Sequence, residues 1–266
     1  GNIYYTKKGT GSPILLIHDT LPGASGYEWS KIEDELAIDH TVYTVDLLGC
    51  GRSDKSSITY TNFVYVQMIS DFIKKIIGQK TDVIASGFSG SFVTMACHNE
   101  KELFNKIMLV NPPGLTQLKQ MPNRKDRLLK AALEIPIFGT LVYHMIVSRA
   151  NINNLFIEKM YYNPFHVDNQ MSDAYYEAAH KGGYYTRFLY SSLAAKYINI
   201  NICHALKALD NSIYIVEGET EPNGKAVTDD YCASNPAIEV SVLKETKHLP
   251  HVEAPEAFLE QVKIFF

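Results

Sequence analysis

The chain has 266 residues, 46% hydrophobic and 20% charged, with a formal net charge of −4, so it can bury a large core without a staple. An acidic balance with no Lys/Arg run excludes the electrostatic footprint of a nucleic-acid binder, and no nucleic-acid partner is expected. Cys50, Cys97, Cys203 and Cys232 are scattered without metal-ligand spacing, which predicts reduced thiols, no metal and a cytoplasmic protein; no pattern calls for a cofactor. The opening Gly1-Asn2-Ile3-Tyr4-Tyr5 has no secretory pattern, although a chain that opens on glycine leaves its native N-terminus open.

In chain order, Pro13 to Ile17 is an apolar run that predicts a buried strand leading into His18-Asp19. Pro22-Gly23-Ala24-Ser25-Gly26-Tyr27-Glu28-Trp29 follows, and Thr41 to Val45 predicts a second strand that runs into Asp46-Leu47-Leu48-Gly49-Cys50-Gly51-Arg52-Ser53-Asp54, where glycines permit a tight path. Ile69 to Ile77 reads as a helix, Val83-Ile84 as the core of a strand ending near Ala85-Ser86-Gly87-Phe88-Ser89, and Lys106 to Val110 as another strand. About a hundred residues then precede the strand that begins at Ser212, far beyond the usual connection of about 2–6 residues.

That insertion must have its own structure. Leu128 to Leu133, Ile152 to Met160, Asp173 to His180 and Tyr184 to Ala195 have helical spacing, which predicts a helical cap over residues 113–211 on a core of 1–112 and 212–266. The apolar window 128–147 is interrupted by Lys130, Glu134, Pro136, Gly139 and His144, so no transmembrane segment is expected. The cap is rich in Tyr and Phe. Each ring alone reads as packing, but together some are expected to line a cleft for a small, partly apolar molecule. The alternating strands and helices outside the cap predict an α/β fold with a mostly parallel sheet covered on both faces.

The motifs resemble those of the α/β-hydrolase superfamily. Residues 13–19 are similar to its strand entering an HG-type oxyanion loop, and residues 46–54 to its D-x-x-G-x-G-x-S-D turn. Lys247-His248-Leu249-Pro250-His251-Val252-Glu253-Ala254-Pro255-Glu256 resembles the G-H-x-P-x-x-E-x-P-E segment without its first Gly, and Gly218-Glu219-Thr220-Glu221-Pro222 resembles G-x-x-D-P with Glu221 at the acid position. The set Pro136 to Thr140, Tyr143, Ser148-Arg149, Tyr175-Tyr176, His180 and Gly182-Gly183 resembles a cap-bearing branch in bacteria and plastids whose elbows read A-S-S or A-S-G, then an apolar residue and Ser, and from which no substrate carries over. The resemblance implies His248 as general base, Glu221 as its orienting acid, and a pocket beside Phe88 and the loop of Asp19 and Thr20.

The nucleophile elbow departs from the family. Both Gly87, flanked by Ala85 and Ser89, and Ser89, flanked by Gly87 and Ser91, satisfy the need for small neighbours. Asn111 lies 24 positions beyond Gly87 and 22 beyond Ser89, and the family separation is closer to the first. Gly87 is therefore expected at the turn, with Ser89 as a shifted nucleophile the alternative and Ser86 a remote third. Asp19 is a second departure, because a carboxylate beside an oxyanion hole opposes the charge of acyl transfer; it is expected either there or turned away to cap a loop amide. His18 is expected to support its loop, and His251 and His180 to be surface or cap-contact residues. Three functions stay open: a small-molecule enzyme with a His248–Glu221 dyad, a serine ester hydrolase using Ser89, and a non-catalytic small-ligand-binding protein. The oligomeric state is not readable.

Overall fold

The computed structural model describes residues 1–266. Seven strands form one sheet: β1 Tyr5–Lys8, β2 Ser12–Ile17, β3 His40–Val45, β4 Thr81–Ser86, β5 Phe104–Val110, β6 Ile213–Gly218 and β7 Glu239–Leu243, in the spatial order β1-β3-β2-β4-β5-β6-β7. Only β1 is antiparallel to its neighbour. The central strands are apolar on both faces, as a parallel sheet covered by helices requires. Leu15, Ile17, Val83, Ala85, Ile107, Leu109, Ile213 and Ile215 enter one buried cluster. The alternate residues Ile14, Leu16, Ile84, Met108, Val110, Tyr214 and Val216 enter the other, which is the two-residue period of a strand written into the core.

Helices Asn62–Phe72, Ser89–Asn99 and Cys203–Ala208 cover the first face. Trp29, Ile32 and Leu36, together with the C-terminal helix Pro255–Phe265, cover the second. This is the α/β-hydrolase architecture that the motifs implied.

The inserted segment between β5 and β6 is helical, and its boundary with the core is not where the sequence put it. Leu115 and Leu118 at one end, and Leu189, Ile198, Ile202, Ala205 and Leu206 at the other, belong to the core cluster. Residues 113–211 therefore do not separate cleanly as a cap. The part that packs as its own layer is built from Tyr143, Val147, Ile152, Phe156, Met160, Tyr161, Met171, Tyr175 and Ala179, seated on Ala24, Leu249 and Val252 of the core. Pro136, which interrupts the apolar window, starts a new helix instead of ending order. Helix Arg124–Glu134 is opened by an Asn123/Asp126 capping box, and helix Pro136–Ile146 carries Pro136 in its first turn, where the missing N–H costs nothing. The two helices meet at 96°, and no single helix is long and apolar enough to cross a membrane.

Candidate active site

The site lies at the C-terminal ends of the parallel strands, where loops from β2, β4, β5 and β6 converge. β4 ends at Ser86, the next helix begins at Ser89, and Gly87 makes the turn with φ +53°, its N–H bonded to the Val110 carbonyl at 2.9 Å. Glycine adopts that angle freely, whereas any side chain there is strained. Gly87 is therefore a turn residue between β4 and the helix that starts at Ser89. Ser89 does not reach the site. Its hydroxyl is fully buried, donates to the His18 carbonyl at 2.6 Å and lies 3.2 Å from Thr20 Oγ1, which corrects the expectation that it could serve as nucleophile.

The volume of the missing elbow side chain is filled from another loop. A Cβ added to Gly87 would overlap the carboxyl group of Asp19. That carboxylate is 4% exposed. Its Oδ1 accepts from the backbone N–H of Thr20 at 2.6 Å and of Phe88 at 2.8 Å, and its Oδ2 lies 3.3 Å from His248 Nε2. The N–H of the residue after the elbow and one from the first loop are the pair that receives an oxyanion in this fold. The two expectations for Asp19 are therefore reconciled with a correction: it caps the Thr20 amide, but in doing so it faces the site instead of turning away.

Two buried supports hold this loop. His18 Nδ1–H donates to the Asp19 carbonyl at 2.6 Å while its Nε2 accepts from Leu47 N at 3.0 Å, a pairing that fixes the ring's tautomer and matches the structural role expected for it. Glu28 receives the Asp19 N–H at 3.3 Å and the Tyr175 hydroxyl at 3.4 Å, and lies 3.3 Å from His251 Nε2. Burial works against ionisation of Glu28, but the adjacent His251 ring prevails and holds its carboxyl below the usual range. His251 is 0% exposed and stacks on Trp29 with ring centroids 4.3 Å apart. The expectation of a surface or cap-contact role for it is overturned, because its motif position is carried inward by the short helix Pro250–Glu253. His180 does belong to the cap, packed on Tyr176 and His144.

His248 is locked from both sides. Its N–H donates to Met160 O at 3.1 Å, and Asn111 Nδ2 donates to the carbonyls of Lys247 and His248 at 2.8 and 2.9 Å. Its ring Nδ1 is 3.2 Å from Oε1 of Glu221, on the loop after β6. Burial opposes a charged ring, but Asp19 on one nitrogen and Glu221 on the other outweigh it and raise the pKa from the ordinary 6.5 to about 10. At neutral pH the resting ring is an imidazolium and both nitrogens donate.

Asp19, Phe88, His248 and Glu221 line a cavity of about 720 Å³ whose far wall includes Leu155 and Met160 of the cap. Thr20 contributes only its backbone, its side chain being buried beside Ser89. No group of three or more His, Cys, Asp or Glu side chains is arranged to hold a metal ion. Sequence reasoning missed Glu28 and the positioning role of Asn111. The only signal was a carboxylate set directly before the buried Trp29, and an Asn at the exit of a strand.

Comparison with known proteins agrees with the fold. The model of the "Alpha/beta hydrolase family" matches residues 14–261. A 2-hydroxy-6-oxo-6-(2'-aminophenyl)hexa-2,4-dienoic acid hydrolase of Metapseudomonas resinovorans is 30% identical over 113 residues, 42% of this chain and 39% of that protein. A soluble epoxide hydrolase of Corynebacterium sp. (strain C12) is 25% identical over 114 residues, 42% of this chain and 39% of that protein. These matches thus span about two fifths of each relative's length. Among solved structures, a bromoperoxidase from Bacillus anthracis superimposes with a TM-score of 0.79 at 16% identity, covering 99% of this chain and 94% of that one. A meta-cleavage product hydrolase from Pseudomonas fluorescens IP01 gives 0.78 at 19% identity, covering 99% and 93%. At these identities the structural likeness speaks for the fold alone, while the family match extends across nearly the whole chain: the chain belongs to the alpha/beta hydrolase family.

Proposed function

We propose that the protein is a hydrolase of a small, partly apolar molecule in which His248 and Glu221 manage the proton and the elbow supplies no hydroxyl. The observation that carries this reading is the Glu221–His248–Asp19 line, with spacings of 3.2 and 3.3 Å, opening onto a cavity that Phe88, Leu155 and Met160 make partly apolar. Charged groups held together at the wall of a cavity are costly to maintain, and such groups cluster where chemistry is done. Gly87 offers no hydroxyl at the turn after β4, and the bonded, buried hydroxyl of Ser89 weighs against the serine alternative.

One observation favours the non-catalytic alternative: Asp19 already occupies both backbone donors, so a bound ligand finds no oxyanion site. One experiment separates the two. Purified protein is assayed on a panel of aryl esters, lactones and epoxides, with His248→Ala as the control. Turnover that vanishes in the variant supports the hydrolase; saturable ligand binding without turnover on any of them supports the binding protein. A fluorophosphonate probe should leave the wild type unlabelled.

A further inference from the structure

Away from the reacting groups, we infer that the corner made by helices Arg124–Glu134 and Pro136–Ile146 is a docking surface for a lipid bilayer with anionic headgroups. A surface helix ordinarily buries its apolar stripe and gives its polar side to water. Helix Pro136–Ile146 does the reverse. It turns Gly139 and Tyr143 inward, while Ile137, Leu141 and Met145, spaced four residues apart, and Phe138 beside them stand outward with more than half of their surface exposed. Ile137 reaches 78%, and His144 shares that face. Across the bend the patch continues through Ile135 to Leu128, which is 72% exposed. Each helix has 11 residues and the two meet at 96°, a shape suited to lying in the interface and not to crossing it.

The charges around the patch identify what covers it. Lys119, Arg124, Lys125 and Arg127 are exposed, and Arg124 and Lys125 stand one turn before Leu128 on its side of the helix. None of the four has an acidic partner, because the nearby acids are already used: Asp126 closes the capping box and pairs with Lys196, and Glu134 pairs with Lys130. Residues 119–146 hold five Lys/Arg and two Asp/Glu, a net of +3 in a chain whose total is −4. The cations are thus concentrated where apolar side chains face water. A second copy meeting this patch about a twofold axis would set the same cations against one another. A fluid bilayer needs no matching shape: its acyl region takes up the apolar side chains while its headgroups meet the charges.

The surface adjoins the cavity. Gln117 and Gln120 line it, and the exposed Lys119 and Met121 flank Gln120 in the chain, so docking brings that wall of the cavity close to the headgroups. Binding has two parts that separate by salt. Each Lys or Arg near an anionic surface strengthens binding about fivefold, and four together about several-hundredfold, a contribution that salt screens. The apolar side chains add a part that salt does not remove. Neither part depends on what reaction the cavity performs.

The test is co-sedimentation of the chain with vesicles of phosphatidylcholine alone and of phosphatidylcholine mixed with an equal part of phosphatidylglycerol. Binding to the mixed vesicles should be tighter by about a hundredfold or more, and high salt should weaken it without abolishing it. Lys119→Gln/Arg124→Gln/Lys125→Gln/Arg127→Gln should erase the preference for the anionic lipid. Ile137→Glu/Leu141→Glu should weaken binding to the mixed vesicles at least about tenfold, with circular dichroism and thermal unfolding as in the wild type because both side chains face solvent. Phe138→Trp reports insertion: the sole native tryptophan, Trp29, is fully buried, so a blue shift on mixed vesicles and quenching by brominated acyl chains belong to position 138. Absent binding, equal binding to the two kinds of vesicle, binding without the blue shift, or binding that both multiple variants retain overturns the proposal. A dimer that Ile137→Glu/Leu141→Glu dissociates, with no vesicle binding, would assign the corner to a second copy; capture of the chain by soluble polyglutamate, again with no vesicle binding, would assign it to an acidic protein.

Discussion

The two carboxylates that flank His248 sit almost equally far from its ring, yet they are held very differently. Glu221 stands on the loop after β6 with its side chain 21% exposed, one oxygen on the ring and the other, Oε2, without a partner. Asp19 is 5% exposed at its side chain and has both oxygens engaged, while Glu28 and His18 brace its main chain from below. Glu221 therefore acts on the ring through one adjustable ion pair, whereas Asp19 is part of a rigid backbone frame. The side of the site that borders the turn at Gly87 is thus the more tightly built.

Removing what the two sides share should have the largest effect. His248→Ala is expected to cut turnover by roughly 10³-fold, within the range for loss of a positioned acid–base group, while thermal unfolding changes little because the loop stays fastened by main-chain bonds through Met160 and Asn111. Steady-state assays alongside calorimetry check both halves. A variant as active as the wild type would remove the ring from the reaction.

The comparison itself is sharpened by neutralising each carboxylate in turn. Glu221→Gln keeps a neutral partner for Nδ1 and should slow turnover only about tenfold, since its role is orientation and charge support. Asp19→Asn takes the charge from Nε2 and weakens the more tightly bonded side, and should slow turnover more than Glu221→Gln does. Equal losses from the two changes would show that both serve only to position the ring.

A smaller, slower readout is pH-dependent stability. The folded-state pKa of His248 lies above its ordinary value, 6.5 raised to about 10, so the folded state binds the proton more tightly than the unfolded chain. Its contribution is complete below about 6.5 and is lost as pH rises through about 10. Urea midpoints should fall across that window in the wild type and fall less in Asp19→Asn. The imidazole resonances of His248 should titrate at lower pH in that variant, and an unchanged midpoint would mean that Asp19 does not hold the ring in its charged form.

The two sides were also unequally legible. His248 and Glu221 could be read because each sits in a contiguous motif next to a strand whose end fixes its direction. Gly87 could be placed by counting from Asn111. The destination of Asp19 could not, because it depends on the loop after β2 meeting the turn after β4, contacts between residues 69 apart in the chain. His251 was misread for a related reason: its motif position carries no sign of the inward turn that stacks it on Trp29. The sheet was legible from apolar runs, but the cap boundary was not, since Leu115, Leu118, Ala205 and Leu206 show as core only once the layers are assembled.

The subtlest gain should come from reversing the exchange between the loops. Gly87→Ser alone places a Cβ into the Asp19 carboxyl and imposes a side chain on a φ of +53°, so it should be destabilised and remain unlabelled by fluorophosphonate. Adding Asp19→Gly clears that volume and frees the N–H groups of Thr20 and Phe88 for a substrate oxyanion, while His248 keeps Glu221 on Nδ1 and loses the carboxylate on Nε2 that favoured its charged form. With a hydroxyl beside a ring able to accept its proton, Gly87→Ser/Asp19→Gly should gain weak fluorophosphonate labelling at position 87 and slow hydrolysis of short esters, both abolished by His248→Ala. The strain of a serine at this angle remains, so the restored rate should be small. Strong labelling of Gly87→Ser with Asp19 still in place would show that the carboxylate yields easily, and the rigid frame drawn for the Asp19 side would have to be given up.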